Sequence, residues 1–267
     1  MKNPQPFFQR SILGVRVDDL NLDGAVERIK ELIRAGGFHL VVTMNPEILM
    51  KARKDKDFLE IINRKTAIVT LDGMGIILAG KLLDQPFKER ITGNDLIEPL
   101  VKLCLREKWS VMLMGGKPGV AQKALEKLKE KHPLLLGSAT SEPSKPLSRE
   151  GGSCPAGQLI KQLKGEKPAV VLIAMDFGER EKFILQLIKQ LKNKDFRRGM
   201  VFVGVGGAMD YLASTAKRAP VVFQKLGLEW LWRLVTQPQK RFVRQMKALP
   251  AFGWLVAREA FMTRLRK

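Results

Sequence analysis

Cysteine and histidine are nearly missing from this sequence, with two of each in 267 residues. Cys104 and Cys154 cannot build a disulfide framework, and a reducing compartment is the default for such a chain. Missing too is any run of roughly 18 apolar residues, so no stretch reads as a bilayer-spanning helix. The opening Met1-Lys-Asn-Pro-Gln-Pro-Phe-Phe8 lacks the apolar segment of a secretory signal. Acidic residues are scarce: 27 stand against 47 Lys and Arg, for a formal charge of +20. With 45% apolar and 28% charged residues the chain is nonetheless that of a globular protein, not a disordered one. Its length suits one large α/β domain, or a domain with an appendage.

A charge of this size and sign points to nucleic acid, an anionic membrane surface or phosphorylated substrates. Its placement narrows the choice. Residues 215–267 hold twelve Lys or Arg against Glu229 and Glu259, and also three of the four tryptophans, Trp230, Trp232 and Trp254. Basic side chains mixed with Trp and Phe suit a lipid headgroup layer. Zinc-finger, RNP and bZIP patterns are absent, so no nucleic acid partner is expected. The segment 251–267 reads as an amphipathic helix, with Phe252, Leu255, Val256 and Met262 on one side and Arg258, Arg264, Arg266 and Lys267 on the other. It suits either a membrane interface or an ordinary packed surface helix.

Strand and helix patterns alternate from residue 38 to residue 210. This predicts a mostly parallel, doubly wound α/β sheet flanked by helices. Before it, 11–17 reads as a strand or hairpin arm and 21–34 as a helix. Phe38–Val42 is a strand, followed by a helix from Pro46 to about Asp57, a short helical piece, and a strand over 67–71. Asn94 or Asp95 is expected to cap the next helix, whose stripe includes Leu96, Leu100 and Cys104. A strand at 110–114 meets a glycine turn and a helix over 120–131. Residues 138–157, rich in Ser, Pro and Gly, read as a surface loop. A helix over 158–164, a strand over 169–174, a helix from Asp176 to about Lys192 and a strand over 200–205 follow. Pro238 and Pro250 are expected to break the tail into segments.

Several strands end in residues that carry chemistry. In open α/β sheets, ligands sit beyond the carboxyl ends of the strands. Asp72-Gly73 closes the strand 67–71, and Thr43-Met-Asn45 closes its neighbour. Asp72, Thr43 and Asn45 are therefore candidates for one cleft, although Asp72 could instead only cap a helix or close a turn. Gly115 and Gly116, and again Gly206, Gly207 and Asp210, sit where a glycine turn lets backbone N–H groups approach a phosphate, or where a plain strand-to-helix turn needs room. The pair Asp55-Lys-Asp57 looks like a metal-binding DxD, but two helical residues that far apart point about 200° away from each other. With only His39 and His132 beside it, no metal site is expected.

The motifs then form an ordered set. Thr43-Met-Asn45-Pro-Glu, Asp72-Gly73, Glu89-Arg90-Ile-Thr-Gly93-Asn-Asp95-Leu, Met114-Gly-Gly-Lys-Pro-Gly-Val120, Gly204-Val-Gly-Gly-Ala-Met-Asp210, Arg218-Ala-Pro220 and Leu228-Glu-Trp-Leu-Trp-Arg233 together resemble the WecG/TagA/CpsF family of bacterial glycosyltransferases, over roughly residues 10–245. The resemblance implies a Rossmann-like core, here 1–214, and a basic helical membrane-associating appendage, here 215–267. It implies transfer of N-acetylmannosamine or a related sugar, such as its uronic acid, from a UDP-sugar. The acceptor would be an N-acetylglucosamine linked to a polyprenyl diphosphate at the cytoplasmic face of the membrane, in cell-surface polysaccharide synthesis. It implies inversion at the anomeric carbon and neither metal nor cofactor. Asp72 then matches the base and Arg90 an active-site arginine. Thr43, Asn45, Gly73, Gly93, Asp95, Gly115 and Gly116 fall near substrate, as do Gly206, Gly207 and Asp210. Arg233, Arg241 and Arg244 are tail arginines suited to a diphosphate.

One run departs from the family pattern, Gly-x-Pro-Lys-Gln-Glu. This chain reads Asp176-Phe-Gly-Glu-Arg-Glu181, so Glu181 is kept but Arg180 replaces the glutamine. Arg180 could bind a carboxylated sugar or the diphosphate, or serve structure. The change also admits a relative that binds nucleotide sugar or lipid-linked glycan without this transfer. The sequence does not fix the oligomeric state, and a homo-oligomer stays open.

Overall fold

The computed structural model describes residues 9–140, 155–191, 196–216, 219–220, 222–223, 229, 231–232 and 238–265. Within these, the side chains of 155–156, 238–244 and 246–247 are left aside. In chain order the elements are β1 Gln9–Ile12, β2 Val15–Asp18, α1 Leu22–Ala35, β3 Phe38–Met44, α2 Pro46–Lys54 and α3 Lys56–Glu60. A π-helical turn Ile61–Lys65 leads to β4 Ile68–Leu71, α4 Met74–Leu82, α5 Gly93–Glu107, β5 Val111–Gly115, α6 Val120–Lys131 and β6 Gly137–Thr140. Then come α7 Pro155–Glu166, β7 Val170–Ala174, α8 Glu179–Gln190, β8 Met200–Gly204, α9 Ala208–Leu212 and the long α10 Pro238–Leu265.

Six strands form one parallel sheet in the order β4-β3-β8-β7-β5-β6. Successive residues of a strand point to opposite faces. So Leu40, Val42 and Met44 enter one core layer with side chains of α2, α4, α8 and α10. Val41, Val201 and Val203 enter the other, with α1, α5, α6 and α9. A sheet buried on both faces needs near-continuous apolar strands, which Val170–Ala174 and Met200–Gly204 supply. Cys104 lies fully inside the second layer, where burial pushes its thiol up to about 12.

The β1–β2 hairpin covers the exposed edge at β4. Asp18 accepts the Val69 N–H at 2.8 Å, and Arg16 donates to the Thr66 and Ala67 carbonyls while pairing with Asp18. These contacts occupy backbone groups that an edge strand would otherwise offer to another chain. Burial holds the Asp18 carboxyl above the usual carboxylate range despite Arg16.

Four expectations need correction. Residues 138–157 are not one loop: 137–140 form the sixth strand, 155–157 belong to α7, and 141–154 lie outside the described residues. The helix after Pro46 stops at Lys54, because Asp55 caps a new one by accepting the Phe58 N–H. Thr92, not Asn94 or Asp95, caps α5; its hydroxyl accepts the Asp95 N–H while Asp95 accepts the Thr92 N–H. In the tail, Pro238 opens α10 and Pro250 sits inside it without ending it.

Candidate active site

The sheet reverses its winding between β3 and β8. The loop after β3 feeds α2 on one face, and the loop after β8 feeds α9 on the other. A crevice opens at such a point. Here it is a cavity of about 690 Å3 over the tips of β3, β4 and β8, closed on one side by α10.

Small residues draw the three tips together. The Asp72 N–H donates to the Met44 carbonyl at 2.7 Å, tying the end of β4 to the end of β3. A Cβ on Gly73 would stand 2.6 Å from Pro46 Cδ, so only glycine lets the two turns meet. A Cβ on Gly93 would stand 3.0 Å from Val205 Cα, so α5 begins hard against the turn after β8. Asp72 itself is half-buried on the cavity wall.

Arg90 reaches the same cavity from the loop that precedes α5. Ile91 N–H donates to the Leu71 carbonyl at 2.7 Å, and the Thr70 hydroxyl donates to the Ile91 carbonyl at 3.2 Å. Upstream, Asp19 accepts the Lys88 N–H and Glu89 accepts the Leu22 N–H. The loop is thus pinned at both ends, and Arg90 shares the cavity wall with Asp72.

The remaining candidates divide into groups. Asn45 and Gly73 line the cavity, Asn45 with its Oδ1 capping α2 through the Ile48 N–H. Gly93 lines it as well. Thr43 lies beneath, its hydroxyl donating to the Gly204 carbonyl at 3.0 Å, and Asp95 closes the cap of α5. Gly115, Gly116 and Gly206 gather instead around the tip of β7: Gly116 N–H donates to the Ala174 carbonyl, and Gly206 N–H to the Ile173 carbonyl. Gly207 caps α9, and Asp210 within α9 accepts from Thr215 through its backbone carbonyl. Arg233 lies outside the described residues, and of Arg241 and Arg244 only the backbone, in α10, is described.

Arg180 and Glu181 form a buried pair at the start of α8, with the Arg180 Nε donating to Glu181 at 2.8 Å. The guanidinium lies over Gly204, and the second oxygen of Glu181 accepts the Gly178 N–H. Removing one member of a buried ion pair leaves the other charge desolvated. Arg180→Ala is accordingly expected to lower unfolding free energy by about 3–5 kcal/mol in a urea titration. A loss under 1 kcal/mol would show that Glu181 finds other partners.

Asp55 and Asp57 do not converge. Asp55 caps α3 and pairs with Lys182 at 3.1 Å, and the Phe58 N–H, then Lys182, hold its carboxyl below the usual range. Among the described residues no three His, Cys, Asp or Glu side chains gather as a metal cage. Sequence reasoning passed over Glu47, Leu78, Leu82, Glu229, Gln245 and Phe252, all on the cavity wall. Glu47 and Glu229 stand in quoted motifs and could have been found. Leu78, Leu82, Gln245 and Phe252 join only because α4 and α10 cross above the strand tips.

The model of the Glycosyl transferase WecG/TagA/CpsF family matches residues 10–266. Two similar relatives, from Staphylococcus aureus strains MRSA252 and NCTC 8325 / PS 47, are each named N-acetylglucosaminyldiphosphoundecaprenol N-acetyl-beta-D-mannosaminyltransferase. Each is 29% identical over 249 residues, covering 92% of this chain and 91% of the relative. With a carboxylate and an arginine set over the strand tips of a doubly wound sheet, and with the family's pattern running through nearly the whole sequence, this chain belongs to the WecG/TagA/CpsF family of glycosyltransferases.

Proposed function

We propose that the protein transfers N-acetylmannosamine, or a related sugar such as its uronic acid, from a UDP-sugar to an N-acetylglucosamine carried on a polyprenyl diphosphate. The observation that carries this reading is the presence of both Asp72 and Arg90 in the lining of one cavity. Asp72 takes the proton of the acceptor hydroxyl as that oxygen attacks the anomeric carbon. The C–O bond to UDP breaks on the opposite face, so configuration inverts and no covalent enzyme intermediate forms. Positive charge must meet the departing diphosphate. Arg90, with Arg233, Arg241 and Arg244 of the tail, supplies it without a metal, since guanidinium groups match phosphate oxygens two at a time.

The names of the staphylococcal relatives support the acceptor and the sugar. We place its action peripherally at the cytoplasmic face of the membrane, and the surface supports the peripheral part of that reading. Among the described residues no helix is long and apolar enough to cross a bilayer. Yet Leu78 and Leu82 on the cavity rim are 53% and 52% exposed, and Trp254, beside the rim residue Gly253, is 62% exposed. Arg258 lies over the Trp254 ring at 5.6 Å, an arrangement suited to headgroups.

The test is turnover of a panel of UDP-sugars with a short-chain lipid-diphosphate acceptor, with and without chelator. UDP release coupled to a longer glycan, unchanged by chelator, is expected. Binding of these ligands without turnover would favour a second reading, a non-transferring relative. The specific observation behind that reading is Arg180, whose guanidinium is closed against Glu181 and Gly204 where the family pattern has glutamine.

A further inference from the structure

The wall that α10 gives to the cavity is built from Gln245, Leu249, Phe252, Gly253 and Val256 among the described residues, and Gln245 alone of these carries a polar side chain. Gln245 is 4% exposed, and among the described residues its Oε1 has no hydrogen-bond partner. A buried carbonyl oxygen without a donor is unfavourable, so its retention calls for an explanation. Asn45 and Thr92, polar neighbours on the same wall, are each used in a helix cap. The Gln245 oxygen has no such use among the described residues.

A neutral amide oxygen asks for a donor. Phosphate oxygens cannot be that donor, since they only accept at neutral pH. A sugar set before Asp72 can. One turn further along α10, Leu249 continues the same wall, with Phe252 beyond it. An acceptor oxygen followed by apolar side chains matches an acetamido group, which offers an N–H and a methyl side by side. We propose that Gln245 is a specificity-determining residue that accepts a hydrogen bond from the acetamido N–H of the amino sugar in the cavity, with the methyl against Leu249 and Phe252. The assignment rests on the transferase reading above. The same chemistry is carried by a 2-acetamido donor sugar and by an N-acetylglucosamine acceptor.

The experiment uses full-length wild type, Gln245→Met and Gln245→Glu. Initial rates are taken with matched substrate pairs, a UDP-2-acetamido sugar against its UDP-hexose counterpart, and an acceptor bearing N-acetylglucosamine against one bearing glucose. Gln245→Met keeps volume and removes the unmatched oxygen. It is expected to hold or raise the Tm of the free protein, to lower kcat/KM for the acetamido substrate about tenfold, and to erase the preference within one pair. The pair that loses its preference names the sugar that Gln245 reads. Gln245→Glu keeps an acceptor oxygen and is expected to restore part of that preference. Wild type turning over while Gln245→Met keeps rate and preference within twofold would overturn the assignment alone. A uniform loss on all substrates with a lowered Tm would also overturn it, as a structural role. Wild type turning over none of the sugars would remove the transferase reading and this assignment with it.

Discussion

Asp72→Asn is expected to cut sugar transfer by about a thousandfold, within the 10²–10⁴ range that a positioned general base contributes. The substitution keeps the shape of the side chain and removes its ability to take a proton. The backbone that aims it does not depend on the carboxylate. Asp72 N–H is held by the Met44 carbonyl, Gly73 is wedged against Pro46, and Ile91 is bonded to Leu71 on the other side. The Tm should therefore stay within about 3 °C, since surface and wall substitutions that leave packing intact change stability by about 0.5 kcal/mol. UDP release in the presence of lipid-linked acceptor gives the rate. A variant that works at near wild-type speed would remove Asp72 from the chemistry, and the base would have to be sought among Glu47 and Glu229 on the same wall.

Local pattern reached the sheet and the strand tips, and it failed where contacts made at a distance decide. Val111–Gly115, Val170–Ala174 and Met200–Gly204 are buried on both faces and so write themselves as apolar runs. The edge strand Gly137–Thr140 pairs on one side only, with β5, and its Gly-Ser-Ala-Thr carries no such run. Residues 138–140 therefore resemble a loop in sequence. The cap of α5 was misplaced by two or three residues because Thr, Asn and Asp all cap well, and only the reciprocal bond with Asp95 distinguishes Thr92. The glycines at 73 and 93 could be picked out as turn residues, but not their purpose, which is the approach of Pro46 and Val205 from other strands. Asp72 and Arg90 stand 18 positions apart and come to line one cavity through the bond between Ile91 and Leu71, a link that no spacing rule reports. The glycine turns at 115 and 206 surround the tip of β7, whereas Gly73 lines the cavity over β3 and β4. Pro250 would ordinarily break a helix. The helix continues through it because Phe252 and Val256, two and six residues on, are seated in the core and hold that half in place.

That seating governs what removal of the tail should do. Deleting 215–267 is expected to abolish transfer and liposome binding and also to weaken the fold, three effects that a single assay would confuse. Phe252 and Val256 are 5% and 3% exposed, packed with Ile48 and Ile76 in the layer beneath α2 and α4. Losing two such side chains and uncovering their partners removes about 4–6 kcal/mol. For a chain of this size that is a fall in Tm of roughly 10–20 °C. A truncated protein with unchanged Tm would mean that α10 contributes nothing to the core. The membrane role is separated by a variant that leaves the seated face alone. Trp254, Phe261 and Leu265 are 62%, 63% and 67% exposed, so replacing all three by Ser should leave the Tm near that of wild type. Each would forfeit about 1 kcal/mol of interfacial burial, about 3 kcal/mol together, which weakens partitioning onto anionic vesicles roughly a hundredfold. Transfer to a short, water-soluble acceptor should persist, while transfer to a long-chain acceptor in vesicles should fall with the binding. Equal sedimentation of wild type and triple variant would take this face of α10 away from the membrane and leave Leu78 and Leu82 of α4 as the apolar rim to be tested in its place.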